Sequence, residues 1–322
     1  MEIISSVQWA VTRRMREISA LTLLSLILLS VISDAQQYPL IPELSDEDLS
    51  ALDLNDASVS DWKQIHPSPA IDLSFFFERQ VSVAMWPTEF AHTTIGASVW
   101  IGWHRGSSRI YVAIERFDDA FYPSTDVSLA RRVLGDTQIE FSVDGDLSGG
   151  IYQSGDLTSG NMYLPRPNDE STATSVALNS AAQKYRIAFS PDGGGDIHLL
   201  GQPGHWASVP PYSDIGGGIG SISEETGHTF WTIEFYVTVF DELSEDASTS
   251  RTTLLRERAI VGLDLLVADM DSPTGDRDSM WQTSPNPLAN YDAGFLKRWI
   301  LQPLVTTTIG RVGWGVIKRR GP

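Results

Sequence analysis

Acidic and hydroxyl side chains alternate along residues 144–149 (DGDLSG), where glycines favour a tight loop. Calcium takes several oxygen ligands, and Asp144 and Asp146 have the spacing of the first half of a calcium-binding loop. Gly155 stands where the bidentate carboxylate of such a loop is expected, and Asp-Gly is also the commonest hairpin turn. The segment therefore predicts either a calcium site or an acidic turn. Further candidate calcium ligands near the ends of predicted strands are Asp118, Asp269 and Asp271.

A tryptophan in a loop is the second candidate for binding chemistry. Trp206 lies in a Gly-rich segment next to Pro210, Pro211 and Tyr212, where a hydrophobic core would not place it. The face of an exposed aromatic ring stacks on the C–H face of a sugar ring. Trp206 is therefore a candidate platform for a sugar. The tryptophans with apolar neighbours, which are predicted to lie in the core, are Trp62, Trp100, Trp103, Trp231 and Trp281.

Recognisable catalytic motifs are missing from the sequence. The chain has six His and no Cys, no His pair with zinc-ligand spacing and no G-x-S-x-G motif. A glycosidase needs two carboxylates that flank a groove, and no spacing marks one pair among the 41 Asp and Glu residues. The sequence therefore predicts a protein that is not an enzyme, with an O-glycosyl hydrolase as the catalytic alternative.

The charge of the chain limits its partners. Lys and Arg number 23 against 41 Asp and Glu, which gives a formal net charge of -18. Such a surface repels the backbone of a nucleic acid and an anionic membrane. Because Cys is missing, disulfides cannot stabilise the fold. Stability must come from a hydrophobic core, and structural calcium is the expected cofactor.

Residues 1–35 have the three parts of a secretory signal peptide. Three arginines at positions 13–16 precede an apolar run over residues 18–32, and the small residues that signal peptidase reads end at Ala35. We expect a secreted protein, extracellular or periplasmic, without a membrane span after cleavage, and an uncleaved anchor is the alternative. The predicted organisation after the signal is an acidic, Pro-rich linker over 36–50, one domain over 51–303 and a basic tail over 304–322.

Short alternating apolar runs, separated by turn residues, fill the body of the chain. In residues 109–117 (RIYVAIERF), Ile110, Val112 and Ile114 share one face, as in a strand that faces a core. The pattern predicts an all-β fold, an antiparallel β-sandwich of jelly-roll or immunoglobulin-like type. The long end loops are expected at 144–180 and 190–229, and the other predicted strands are 71–77, 94–103, 137–143, 184–189, 230–239 and 259–267.

Four segments of the body carry motifs. Residues 54–62 (LNDASVSDW) lead from an acidic turn to a Trp, and residues 97–118 form a predicted hairpin that ends in an acid. Residues 136–144 (DTQIEFSVD) carry an internal Glu in a strand flanked by Asp, and residues 260–295 begin with IVGLDLLVADMD and end with NYDAGF. In this order, the segments resemble carbohydrate-binding module family 9 over residues 54–302.

The resemblance implies a non-catalytic β-sandwich that binds oligo- or polysaccharide, carries structural calcium and accompanies a glycan-degrading enzyme. It also implies sugar-binding residues. Glu140 matches the strand carboxylate that hydrogen-bonds sugar hydroxyls, and Tyr291 matches one of two Trp residues that clamp the terminal sugar. The other clamp position falls near Leu134, where nearby Arg132 is a candidate ligand-binding residue.

Because Leu134 stands where the second clamp residue is expected, other functions stay open. A cell-surface structural or interaction protein would keep the sandwich and lose the sugar. An accessory module of a glycoside hydrolase system would act together with its enzyme. A related haem-binding redox module would need a Met/His axial pair, and no spacing among the six Met and six His marks one.

Overall fold

The computed structural model describes residues 38–72, 75–78, 95–118, 139–152, 182–189, 195–200, 205–222, 229–269 and 279–304, and the compact unit of the fold begins at Leu40. The strands in these residues are β1 Leu40–Ile41, β2 Ile71–Asp72, β3 Phe77–Glu78, β4 Ile95–His104, β5 Arg109–Asp118, β6 Ile139–Asp144, β7 Gln183–Phe189, β8 Gly195–Leu199, β9 Ser213–Ile222, β10 Thr229–Thr238, β11 Phe240–Glu242, β12 Arg251–Thr252, β13 Ile260–Asp269, β14 Ser279–Gln282 and β15 Lys297–Leu301. The α-helices are α1 Asp46–Ala51 and α2 Ser60–Ile65, and 3-10 helices span His205–Ser208, Ala247–Thr249, Pro287–Asn290 and Ala293–Phe295.

Eight of the described strands form a large sheet. Its main order is β1-β15-β13-β6-β7-β8, and β14 pairs with β13 and with β3. The pairings in this sheet are antiparallel except that of β1, which runs parallel to β15. Strand β6, which carries Glu140, therefore lies inside the sheet between β13 and β7.

The small sheet has five described strands in the order β2-β4-β5-β10-β9, and all of its pairings are antiparallel. Its edge strand β9 is rich in glycine. A Cβ on Gly216 would lie 1.9 Å from the carbonyl oxygen of Leu54, so this position needs glycine for the close approach of two backbones.

The expectation of a long loop over 190–229 is wrong in part, because this region contains the strands β8 and β9.

The hydrophobic core lies between the two sheets. Ile110, Val112 and Ile114 of β5 face it, as their alternation predicts. From the opposite sheets, the rings of Phe141 and Phe235 meet edge to face with centroids 5.4 Å apart. The structure thus confirms the predicted all-β, mainly antiparallel sandwich.

A second apolar cluster covers the outer face of the small sheet. Trp62 and Ile65 of α2 pack there against Trp100 and Tyr111. The side chain of Leu44 joins the same cluster. The predicted burial of the tryptophans is confirmed for Trp62, Trp100, Trp103, Trp231 and Trp281.

Residues 40–50, within the expected linker, contribute β1 and α1 to the fold. Ile41 is buried in the main core. Ser45 caps α1, since its Oγ accepts from the backbone N of Asp48 at 3.1 Å and the Asp48 Oδ2 accepts from the backbone N of Ser45 at 2.9 Å. The sequence predicts a linker here because a strand of two residues and a helix of six are too short to give a periodic pattern.

The expected signal peptide over 1–35 and the basic tail beyond Leu304 lie outside the described residues. None of the helices in the described part of the chain has the length and apolar character of a membrane span.

Candidate functional site

The outer face of the large sheet is polar. In β6, alternate residues face the core, which directs Glu140 and Ser142 to the opposite face. On the neighbouring β7, Arg186 pairs with Glu140 and Lys184 pairs with Ser142. On β13, Asp264 is the register partner of Ser142. Three strands therefore bring five polar side chains together on one surface.

The carboxylate of Glu140 binds two cations on this face. Its Oε2 lies 2.7 Å from the Nζ of Lys184, and its Oε1 lies 3.3 Å from the Nη2 of Arg186. All three side chains are at most 8% exposed. The Nζ of Lys184 also donates to the side chain of Asn290. Removing one member would leave charge uncompensated in a buried place, which costs about 3–5 kcal/mol in comparable ion pairs.

Two buried atoms in the same row have no partner. The Nε of Arg186, a donor, and the Oε1 of Gln282, an acceptor, make no hydrogen bond within the described part of the chain. Gln282 belongs to this row because it pairs with Leu266, whose other register partner is Glu140. Along this row, the unpaired donor of Arg186 and the unpaired acceptor of Gln282 therefore lie on either side of Glu140.

The segment 283–296, here called the cover segment, lies over one end of this face. Asp264 anchors its start, since its Oδ1 accepts from Thr283 Oγ1 at 2.8 Å and from Ser284 N at 2.7 Å. Burial raises the pKa of Asp264, and these hydrogen bonds and the charge of Lys184 oppose that rise. Gln282 adds two contacts, because its Nε2 donates to the carbonyl oxygens of Ser284 and Asn286 at 2.7 and 3.0 Å.

Tyr152 ties the cover segment to β6. Its hydroxyl donates to the carbonyl oxygen of Ala289, and the Oγ of Ser142 lies 3.0 Å from the same hydroxyl oxygen, to which it can donate. Its backbone N donates to the carbonyl oxygen of Tyr291 at 2.9 Å. Tyr291, one of the residues expected from the sequence, therefore lies in the segment that contacts the Glu140 cluster through Asn290. Its side chain is buried, whereas the exposed aromatic residue of the same segment is Phe295.

Asp144 and Asp146 lie in a closed acidic loop. The Oδ2 of Asp144 accepts from Gly149 N at 2.9 Å, and the Oδ1 of Asp146 accepts from Ser148 N at 3.0 Å. Burial raises the pKa of Asp144 to about 6, opposed by the Gly149 hydrogen bond and reinforced by the nearby Asp146. The Oδ1 of Asp144 is buried and has no hydrogen-bond partner in the described residues.

Of the other expected calcium ligands, Asp118 has a side chain among the described residues. Asp118 lies on the core side of β5, where it forms a buried ion pair of 2.6 Å with Arg116. The side chain of Asp269, and Asp271 altogether, lie outside the described residues. Across the described ranges, no three His, Cys, Asp or Glu side chains cluster as metal ligands.

Trp206 lies in a different part of the molecule from Glu140. Its ring packs edge to face against Tyr212 and Phe240, with ring centroids 4.8 and 5.3 Å apart. Its Nε1 donates to the carbonyl oxygen of Ser244 at 3.2 Å. It is half-buried and packs against the core between the sheets. Arg132, the remaining expected ligand-binding residue, lies outside the described residues.

Sequence reasoning missed Lys184, Arg186 and Gln282. A usable pattern exists in β7 (QKYRIAF), where Lys184 and Arg186 alternate with Tyr185 and Ile187 of the core. The partner of these cations depends on strand order, which the pattern does not contain.

Comparison with known proteins gives structural matches only. No family model matches the chain. No curated protein matches it either. A carbohydrate-binding module family 9 structure from Caldicellulosiruptor kristjanssonii in complex with cellotriose is 10% identical, with a TM-score of 0.47, over 85% of this chain and 97% of that chain. The same module type in complex with glucose is 12% identical, with a TM-score of 0.46, over 83% and 96%. Both belong to the family that the four sequence segments resemble.

Proposed function

We propose that the protein is an exported, non-catalytic carbohydrate-binding protein whose sugar site is the polar outer face of the large sheet. The observation that supports this is the row of Arg186, Glu140 and Gln282, in which a buried donor and a buried acceptor have no partner. Native proteins leave few buried polar atoms without a hydrogen bond, so two such atoms in one row favour a bound ligand as their partner. A sugar hydroxyl both donates and accepts, and neighbouring hydroxyls of one ring match such a row.

The contacts of Glu140 support binding rather than catalysis. A glycosidase acid must hold a proton, and a glycosidase nucleophile must present a free oxygen to the sugar. Each oxygen of Glu140 faces a cation instead, Lys184 on one side and Arg186 on the other. We therefore assign Glu140 to orienting the two cations and hydrogen-bonding the sugar.

The proposal includes calcium at the loop of Asp144 and Asp146. The unpartnered, buried Oδ1 of Asp144 supports it, since a cation supplies what that oxygen lacks. Calcium would stabilise the fold by binding only its native state. Export rests on the signal peptide of residues 1–35, and a glycan-degrading enzyme is the proposed partner.

A second function is favoured by the low exposure of the cluster. Lys184 is 2% exposed and Arg186 4% exposed, as in a network that holds a sheet to its cover segment. The sandwich would then be a cell-surface structural or interaction protein that has lost sugar binding. Such a protein gives no calorimetric response to sugars and keeps its partners when the cluster is altered.

Titration calorimetry with a broad panel of mono- and oligosaccharides separates the two functions. For Arg186→Lys, which keeps a cation beside Glu140 and removes the guanidinium, we expect sugar affinity to fall about tenfold or more. The matched control is Arg251→Lys, because Arg251 is 66% exposed and forms an ion pair with Asp241 in the small hairpin β11-β12, away from the Glu140 row. Absence of heat for every glycan, in protein with a normal melting curve, would reject sugar binding.

A further inference from the structure

A lysine, an asparagine and a carboxylate meet where β7 faces the cover segment. The Nζ of Lys184 donates to the side-chain Oδ1 of Asn290 and lies 3.4 Å from the backbone oxygen of the same residue. The Oε2 of Glu140 lies 2.7 Å from the same Nζ. All three residues are at most 9% exposed. An amine and a side-chain amide are therefore held in contact beside a carboxylate, out of bulk water.

Contacts on both sides keep these groups in place. Lys184 lies on β7, which pairs with β6, the strand of Glu140. The Nη2 of Arg186 lies 3.3 Å from the Oε1 of Glu140, which leaves Oε2 turned toward Lys184. In the cover segment, the carbonyl oxygen of Ala289, the residue before the asparagine, accepts from the hydroxyl of Tyr152. Well-oriented groups react as though each were present at about 10⁵ M or more, so fixed contact favours a reaction between them.

The carboxylate can turn the lysine into a nucleophile. A lysine amine is protonated in water near neutral pH, and burial disfavours the charges of an ammonium and a carboxylate together. Transfer of one proton from Nζ of Lys184 to Oε2 of Glu140 leaves a neutral amine. A neutral amine attacks carbonyl carbons, and the 2.7 Å between Nζ and Oε2 is within the reach that proton transfer needs.

We infer that Lys184 and Asn290 form an intramolecular isopeptide bond, with Glu140 as the group that moves the protons. The neutral Nζ attacks Cγ of Asn290, so that the Nζ–Cγ bond forms and the Cγ–Nδ2 bond breaks. Glu140 passes the protons of Nζ to the leaving nitrogen. The products are a secondary amide, one ammonium ion and the original carboxylate, and the reaction consumes no oxidant or further reactant. The bond forms once in each chain without turnover, so this chemistry goes beyond the proposed sugar binding and does not depend on it.

The bond ties β7 to the cover segment across a large part of the chain. The two residues are 106 positions apart. A cross-link over so long a loop removes conformational freedom from the unfolded chain and thereby stabilises the native state. The chain contains no Cys, so a disulfide cannot supply this closure.

Mass spectrometry of the purified protein tests the inference without any ligand. We expect the denatured chain to be lighter than its sequence by one ammonia. We also expect a protease digest to contain one branched peptide that joins the segments of Lys184 and Asn290. The branched peptide locates the loss, because Gln36, which signal cleavage after Ala35 makes N-terminal, can also lose ammonia by cyclising.

Two variants test the groups that form the bond. Asn290→Ala removes the carbon that the amine attacks, and Glu140→Gln keeps the shape of the side chain but cannot take up the proton. Both should lack the branched peptide. The matched control is Glu115→Gln, which alters the exposed ion pair of Glu115 with Lys63 and should keep the branched peptide.

A digest of the unaltered protein without the branched peptide overturns the inference, and sugar binding, which calorimetry measures separately, is unaffected by that result. A branched peptide that persists in Glu140→Gln overturns the role of Glu140. If either variant does not fold, the digest of the unaltered protein still decides whether the bond forms. Absence of sugar binding in the calorimetric panel leaves the isopeptide bond standing.

Discussion

Glu234 is a buried carboxyl group on the outer face of the small sheet, and it makes stability depend on pH. Its Oε1 accepts from the Nε1 of Trp62 at 2.7 Å, and its Oε2 has no partner in the described residues. Burial raises the pKa of Glu234 from its ordinary 4.5 to about 8, and the nearby carboxylate of Asp61 adds to the rise.

The folded protein therefore holds a proton on Glu234 that the unfolded chain releases above about pH 4.5. The stability linked to this proton is fully present below pH 4.5 and is lost as pH rises through about 8. Each pH unit between 4.5 and about 8 lowers the unfolding free energy by about 1.4 kcal/mol, so the total loss is about 5 kcal/mol at most.

Glu234→Gln tests this reasoning, because the amide keeps an oxygen for Trp62 and cannot ionise. We expect the variant and the parent to have similar unfolding free energies near pH 5. Above that pH, the unfolding free energy of the variant should exceed that of the parent by about 1.4 kcal/mol more for each further pH unit, up to about pH 8. Urea unfolding followed by tryptophan fluorescence at several pH values measures the gap.

Glu115→Gln is the matched control, since the Glu115 side chain is 41% exposed and pairs with Lys63 on the same outer face. Its difference from the parent should stay small at every pH. A gap between Glu234→Gln and the parent that does not change with pH would refute the assignment of the buried proton to Glu234.

Two further predictions concern packing and metal binding. Gly102→Ala should lower the unfolding free energy by about 1–3 kcal/mol, because its Cβ would lie 2.6 Å from Cγ of the buried Leu44. Gly96→Ala on the same strand should lower it less in the same urea assay, because its Cβ would lie 3.2 Å from the Phe117 ring, and equal losses would contradict the packing argument. Excess chelator should lower the melting temperature measured by calorimetry, and an unchanged curve for protein shown by elemental analysis to be metal-free would reject the calcium proposal.

Local alternation was enough to predict the strands and their faces. Ile110, Val112 and Ile114 were assigned to a core face by period alone, and all three lie in the core. The same period places Glu140 on the outer face of β6, because side chains of a strand point alternately to its two sides. The Asp-Gly composition likewise predicts the turn at Asp144 and Asp146, whose carboxylates accept hydrogen bonds from Gly149 and Ser148.

Contacts between distant segments were decided only by the tertiary structure. Arg186 and Glu140 are 46 positions apart, and Trp62 and Glu234 are 172 apart. Trp206, predicted from its Gly-rich surroundings to be exposed, is half-buried because Tyr212 and Phe240 surround its ring. Strand order and register depend on how both sheets bury their apolar faces together, and no local pattern contains that information. The sequence therefore determines which side chains leave each strand on its polar side, whereas packing of the whole sandwich determines that Lys184, Arg186 and Gln282 join Glu140 there.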